Sequence, residues 1–132
     1  MRKHENSKQN STLTDNPAKQ TVLCVAGCTV ELNALETASL LNPLHPGFRL
    51  SCVLVGVDVG PDTTLFNYGD RFFHNIVQIA GLNQAYEVEL SRVVLNEDVN
   101  GVDEIAAEFT LSDRSNGQRV VRRSNVVQRN FG

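Results

Sequence analysis

Between Glu104 and Asp113 the chain alternates almost without a break. Ile105, Ala107, Phe109 and Leu111 fall at one parity, and Ala106, Glu108 and Thr110 at the other. A period of two sends the two sets to opposite faces of an extended strand. Directly after it come Ser115-Asn116-Gly117 and then the run RVVRRSNVV. Asn-Gly between two strand-like runs marks a tight hairpin, because both residues tolerate positive φ. Glutamate and alanine favour helix on propensity, but the alternation and the turn outweigh that preference.

The same reading extends along the chain. TVLCVAGCTVEL (21–32) is a nearly continuous apolar run rich in β-branched residues, as a buried strand requires. Asn33 with Glu36 three residues on resembles a capping box, and Asn42-Pro43 is a stop, so a short helix is expected over 34–41. The segment NPLHPG (42–47) is a loop. FRLSCVLVGVDV (48–59) alternates again, with Phe48, Leu50, Cys52 and Leu54 on one face. Turns are expected at Gly60-Pro61-Asp62 and Asn67-Tyr68-Gly69-Asp70, followed by a strand over 71–80. Residues 83–95 form a further strand whose phase becomes ambiguous at Arg92-Val93-Val94, where a bulge or a switch between sheets is expected. No βαβ alternation occurs, which argues against a nucleotide-binding α/β fold. Strands at this spacing, joined by Gly/Pro/Asn/Asp turns, predict an all-β chain: an antiparallel β-sandwich of six to eight strands, immunoglobulin-like or C2-like.

The first twenty residues contain only Met1, Leu13 and Ala18 as apolar side chains, together with all three lysines of the chain. Such a stretch offers little burial to offset the entropy of ordering it, so residues 1–20 are expected to be a disordered tail ahead of a domain over 21–132. No apolar region follows Arg2 and Lys3 as a signal peptide would require. Val25-Ala26-Gly27-Cys28 resembles a lipoprotein cleavage box, but the apolar stretch before it is short, and a chance match inside a strand is the favoured reading. No apolar run reaches the roughly 18 residues of a membrane-spanning helix. The net charge of -3 over 132 residues argues against a general nucleic-acid binder.

The average charge hides a strong local pattern. Residues 87–113 hold eight acids and one base, Arg92, whereas 114–132 hold five arginines and no acid. Within the acidic part, LNEDVNGVDE sets oxygen-bearing side chains around a glycine, as a calcium loop does. Asn96, Asp98, Asn100 and Gly101 match part of the EF-hand spacing, but position twelve is Ala107 where a bidentate glutamate is needed. The loop is more similar to those of calcium-binding C2 domains, in which a second acidic loop lies alongside; Asp58 and Asp62 would supply it here. The lysine-rich lipid-facing strand often found in that family is missing. Candidate calcium ligands are therefore Asp58, Asp62, Asn96, Asp98, Asn100 and Asp103, set against the plain reading of a solvated turn.

Arg114, Arg119, Arg122 and Arg123 form the second candidate site, an anion- or partner-binding face. The competing reading is that they pair with the acidic strand across the hairpin and fix its register. No aromatic residue lies among them to stack a base, so nucleic acid is not the expected ligand.

Catalytic and metal motifs are scarce. Cys24, Cys28 and Cys52 are an odd number, which fits a reducing compartment; a cytoplasmic location is expected, with export lacking a recognisable signal peptide as the alternative. With His45 they would make a Cys₃His set, but Cys24 and Cys28 on one extended strand lie roughly 13 Å apart, too far for one zinc ion. A disulfide from Cys52 to one of them is the other alternative; buried small apolar residues are the default. His4, His45 and His74 adjoin no nucleophile motif, although Asp70 and His74 are spaced to approach one another. The expected function is a non-enzymatic binding or interaction module that docks onto a protein partner or self-associates, in the favoured version through an edge strand. A calcium-dependent ligand- or membrane-binding domain is the runner-up, and a small β-barrel enzyme with a pocket at His74 comes third.

Overall fold

The computed structural model describes residues 9–57, 62–73, 82–96 and 102–131, and arranges them as two antiparallel sheets packed face to face. The strands are β1 (Gln9–Asn16), β2 (Thr21–Val30), β3 (Phe48–Gly56), β4 (Thr63–Phe73), β5 (Leu82–Ser91), β6 (Asp103–Asp113), β7 (Arg119–Arg123) and β8 (Val127–Arg129). Among the described residues two short helices, α1 (Ala34–Ser39) and α2 (Arg92–Leu95), interrupt them. One sheet has the order β1-β2-β5; the other runs β4-β3-β6-β7, with β8 also on β6. This is the immunoglobulin-like order with its fourth strand moved to the edge of the second sheet.

Alternation drives the packing. Val22, Cys24, Ala26, Cys28 and Val30 point inward from β2 and are buried. They meet Leu50, Cys52 and Leu54 from β3 and Ile105, Ala107, Phe109 and Leu111 from β6. Fully burying a Leu, Ile or Phe side chain is worth about 1.5–3 kcal/mol, so these rows supply the main driving force. Two tyrosines cross between the layers in opposite directions. Tyr68 of β4 donates its hydroxyl to the Cys24 carbonyl at 3.0 Å, and Tyr86 of β5 donates to the Leu50 carbonyl at 3.5 Å.

Four expectations change. Residues 9–20 are not a tail: β1 pairs residue for residue with β2, from Gln9 opposite Cys28 to Asn16 opposite Thr21. An edge strand needs only one inward row, and Ser11 and Leu13 provide it, both buried. Asn16 to Gln20 form the turn, with Gln20 at φ 55°. The Asn67–Asp70 segment is not a turn between strands either. It lies within β4, where Gly69 adopts φ 95° and the β3 pairing slips between Cys52 and Val53. A bulge draws on the same glycine chemistry as a turn, which is why the two read alike. The strand expected over 71–80 is therefore the end of β4, and 74–80 lies outside the described residues. Arg92-Val93-Val94 is neither bulge nor sheet switch but the one-turn helix α2; Ser91 accepts the Val93 N–H, and Leu95 is buried at its end. The helix after Asn33 forms as expected over Ala34–Ser39, with both halves of the capping box in place.

Side chains close the two open sides of the sandwich. On one side Asn125 presents its amide to the free edge of β1: its Oδ1 accepts the Ser11 N–H at 2.9 Å, and its Nδ2 donates to the Ser11 carbonyl at 3.2 Å. Ser124 prepares this by filling the ladder between β7 and β8, accepting the Ala107 N–H with its hydroxyl and donating its own N–H to the Ala107 carbonyl. Arg92, reaching Asp15 at 3.1 Å and the Asn130 carbonyl, holds the same side. On the other side Arg71 of β4 bonds Gln84 Oε1 at 2.8 Å and the Ala85 carbonyl at 2.7 Å, and lies 3.8 Å over the Tyr86 ring. The outer edge β7 is only five residues long and rich in arginine, and β4 is bulged, both of which discourage strand addition.

Leu13→Ala should therefore cost about 2–5 kcal/mol of folding stability, measured by urea unfolding. A disordered tail would give no change. Asn125→Ala should cost about 1–3 kcal/mol and raise aggregation on heating, seen by light scattering, because Ser11 loses both bonds and an edge opens.

Candidate functional site

The register of the larger sheet decides where the arginines go. Ser112 of β6 lies opposite Arg49 on β3 and Arg119 on β7, and Arg49 in turn lies opposite Phe72 on β4. The outward row therefore reads Phe72, Arg49, Ser112, Arg119. Arg114 joins it from the β6–β7 turn. Its N–H donates to the Gly47 carbonyl at 3.0 Å, its Nη1 donates to the Pro46 carbonyl at 3.0 Å, and its guanidinium lies 4.9 Å over the Phe72 ring. Arg49, Arg114 and Arg119 border a solvent-filled groove of about 390 Å³ floored by Thr110 and Ser112.

Among the described residues the side chains of Arg49 and Arg119 make no hydrogen bond or ion pair, so their charge faces solvent. Two strand spacings separate their backbones by about 10 Å, at which like charges in water repel by only about 0.4 kcal/mol. The fold tolerates that cost easily, and an incoming dianion would reverse its sign. Asp113 also lines the groove, but its Oδ1 is already committed. It accepts the Ser115 N–H at 2.9 Å and the Ser115 hydroxyl at 2.6 Å, and faces His45 Nε2 at 3.2 Å.

The four arginines singled out from the sequence thus divide. Arg114 and Arg119 share the groove. Arg123 is held by Glu108 at 2.8 Å and by Asp62; these hydrogen bonds, Glu108's first, raise its pKa and keep it charged. Arg122 sits opposite the inward-facing Phe109, on the other side of the sheet, where it lines the lateral opening near Val120. Arg49 completes the groove and is not among the arginines that the sequence singles out. Its exposed parity on β3 was legible, but its nearness to Arg119 depends on two long-range strand pairings.

Asp58, Asp98 and Asn100 lie outside the described residues. Of the other expected calcium ligands, Asp62 is bonded to Arg123, Asn96 caps α2, and Asp103 is buried at the start of β6 opposite Arg129. Gly56 pairs with both Thr63 and Ile105, so the β3–β4 and α2–β6 connections leave the sandwich at one end. Among the described residues no three His, Cys, Asp or Glu side chains gather as a metal-binding group.

His45, Asp113 and Ser115 are neighbours without forming a nucleophilic relay. His45 Nδ1 accepts the Gly47 N–H at 2.8 Å, which leaves the proton on Nε2, and the Ser115 hydroxyl bonds Asp113 rather than the imidazole. The imidazole therefore does not act on the serine as it does in a nucleophile–histidine pair. His74 lies outside the described residues.

The three cysteines are free and buried. Burial pushes the Cys24 and Cys28 thiols from 9.0 up to about 11, and Cys52 to about 12 with a smaller push from Cys28. They act as small core residues. No helix among the described residues is long and apolar enough to cross a membrane. Set against protein-family models, curated proteins and solved structures, the chain matches none.

The unfolded chain releases its thiol protons from about pH 9, whereas the folded chain retains them to about pH 11. In that window the unfolded state binds fewer protons, so stability should fall as pH rises. A urea midpoint that drops from pH 8 to pH 10, roughly, and drops less in Cys52→Ala, would show this linkage. In the folded protein the thiols should also resist a disulfide reagent near pH 8, reacting only on unfolding.

Proposed function

We propose that this chain is a non-enzymatic interaction module that docks an anionic partner in the groove between Arg49, Arg114 and Arg119. One observation carries the reading: three guanidinium groups from three separate elements border one open groove, and among the described residues none of them is bonded to a carboxylate. Arg114 is preorganised by Pro46, Gly47 and Phe72, so less freedom is lost when it engages an anion.

The treatment of the strand edges supports docking by a face rather than by strand addition. Asn125 covers β1, Arg71 covers part of β5, bulges distort β4, and β7 is short and charged. A self-associating form of the module would therefore use its faces or ends.

The magnitude expected for a small ligand is modest. An exposed charge pair at contact distance contributes about 1 kcal/mol, so three arginines around a compact anion give binding near the millimolar range. Calorimetric titration with inorganic pyrophosphate should show weak, salt-sensitive binding at one site. Arg49→Gln with Arg119→Gln should abolish it, while Arg122→Gln leaves it nearly unchanged. Equal binding by wild type and the Arg49/Arg119 variant would overturn the reading.

A further inference from the structure

Weak affinity for a single anion suits a partner that presents many anions at once, and the end of the sandwich beside the groove has a second property. The segment from Ala34 to Gly47 is anchored from below and apolar above. Glu36, Leu40 and Phe48 are buried, and the His45 side chain is 8% exposed and stacked on Phe48. From this base Leu35, Leu41 and Leu44 project at 77%, 70% and 88% exposure. The only acid in the segment, Glu36, is buried and folded back onto the Asn33 N–H, so its exposed side chains carry no charge.

The leucines are joined directly to the groove. Leu44 is two residues before Pro46, whose carbonyl holds Arg114, and Gly47 and Phe48 lead into Arg49. Phe72, 51% exposed, lies under the Arg114 guanidinium. At the opposite end, where β4 and β6 begin, Asp62, Asp103 and Glu104 stand among arginines: Arg123 holds Asp62, and Arg129 lies opposite Asp103. A negatively charged plane would therefore be drawn to the groove end, where Arg49 and Arg119 make no ion pair among the described residues, more than to the other.

Resting on the groove reading above, we propose that the occupant is the surface of an anionic phospholipid bilayer, with Leu35, Leu41 and Leu44 entering the interface and Arg49, Arg114 and Arg119 meeting headgroup phosphates and carboxylates. Two features select a bilayer over a folded protein partner. The apolar element projects as a tip rather than opening as a groove, and a fluid interface receives a projecting tip without a matching cavity. The adjoining groove carries three arginines against one carboxylate, Asp113, and peripheral binding combines apolar insertion with cationic attraction.

The test is co-sedimentation of the full chain with vesicles of phosphatidylcholine containing a minority of phosphatidylserine, and with vesicles of phosphatidylcholine alone. Wild type should pellet with the first and remain in solution with the second. Leu41→Ser with Leu44→Ser should weaken vesicle binding roughly tenfold while keeping the thermal midpoint and pyrophosphate binding. Arg49→Gln with Arg119→Gln should weaken it by roughly fivefold for each charge removed. Wild type that stays in solution with both kinds of vesicle overturns the membrane proposal. If it still binds pyrophosphate, the groove reading survives; loss of both removes the two together. Leucine variants that pellet like wild type also overturn it.

Discussion

The pairing of β3 with β6, nine residues deep from Phe48 opposite Asp113 to Gly56 opposite Ile105, is the constraint on which the remaining architecture depends. It aligns the inward rows of the larger sheet, so Leu50 faces Leu111 and Cys52 faces Phe109 across one ladder. It also sets Arg49 beside Ser112 and brings the leucine-bearing segment against the β6–β7 turn. A slip of one residue would turn both apolar rows outward, so the register is strongly specified. The groove exists because the core demands that alignment, and its arginines occupy the positions the core leaves over.

A sandwich of two sheets has two open sides, and this chain closes each with polar side chains rather than with strands. Asn125 presents an amide that imitates a backbone partner for β1, and Arg71 does the corresponding work between β4 and β5 while stacking on Tyr86. Hydrogen bonds that satisfy an edge are worth more than their direct contribution, because the alternative is an exposed ladder available to other chains. Closing both sides leaves the faces and the two ends to make contacts.

Much of the fold was legible because strand periodicity is local. Each of β3, β5 and β6 carries its inward row in plain alternation, β2 is a continuous apolar run, and Asn33 with Glu36 marks its helix within four residues. The losses have physical causes. β1 was hidden because a polar edge strand needs only Ser11 and Leu13 inside, and composition averaged over twenty residues obscures two inward positions. Gly69 reads as a turn in the sequence because positive φ serves bulges and turns alike. The arginine pattern after Asp113 was visible, but its division was not: Arg123 is neutralised by Asp62, far away in sequence, and Arg122 faces the other way by parity alone. Arg49 entered the groove through pairings that no local pattern reveals.

The β3–β6 ladder also governs the order in which the molecule can assemble. Residues of β3 meet partners that follow them in the chain by roughly fifty to sixty-five positions, so closing this ladder requires a large loop to be ordered first. The β1–β2 hairpin is local and can form at once, yet its buried face of valine, cysteine and alanine has only the β3 row to pack against until β6 has been made. During synthesis that face stays incompletely covered while much of the domain is still emerging. The interval between the first hairpin and the arrival of β6 is when this chain most needs protection from its neighbours.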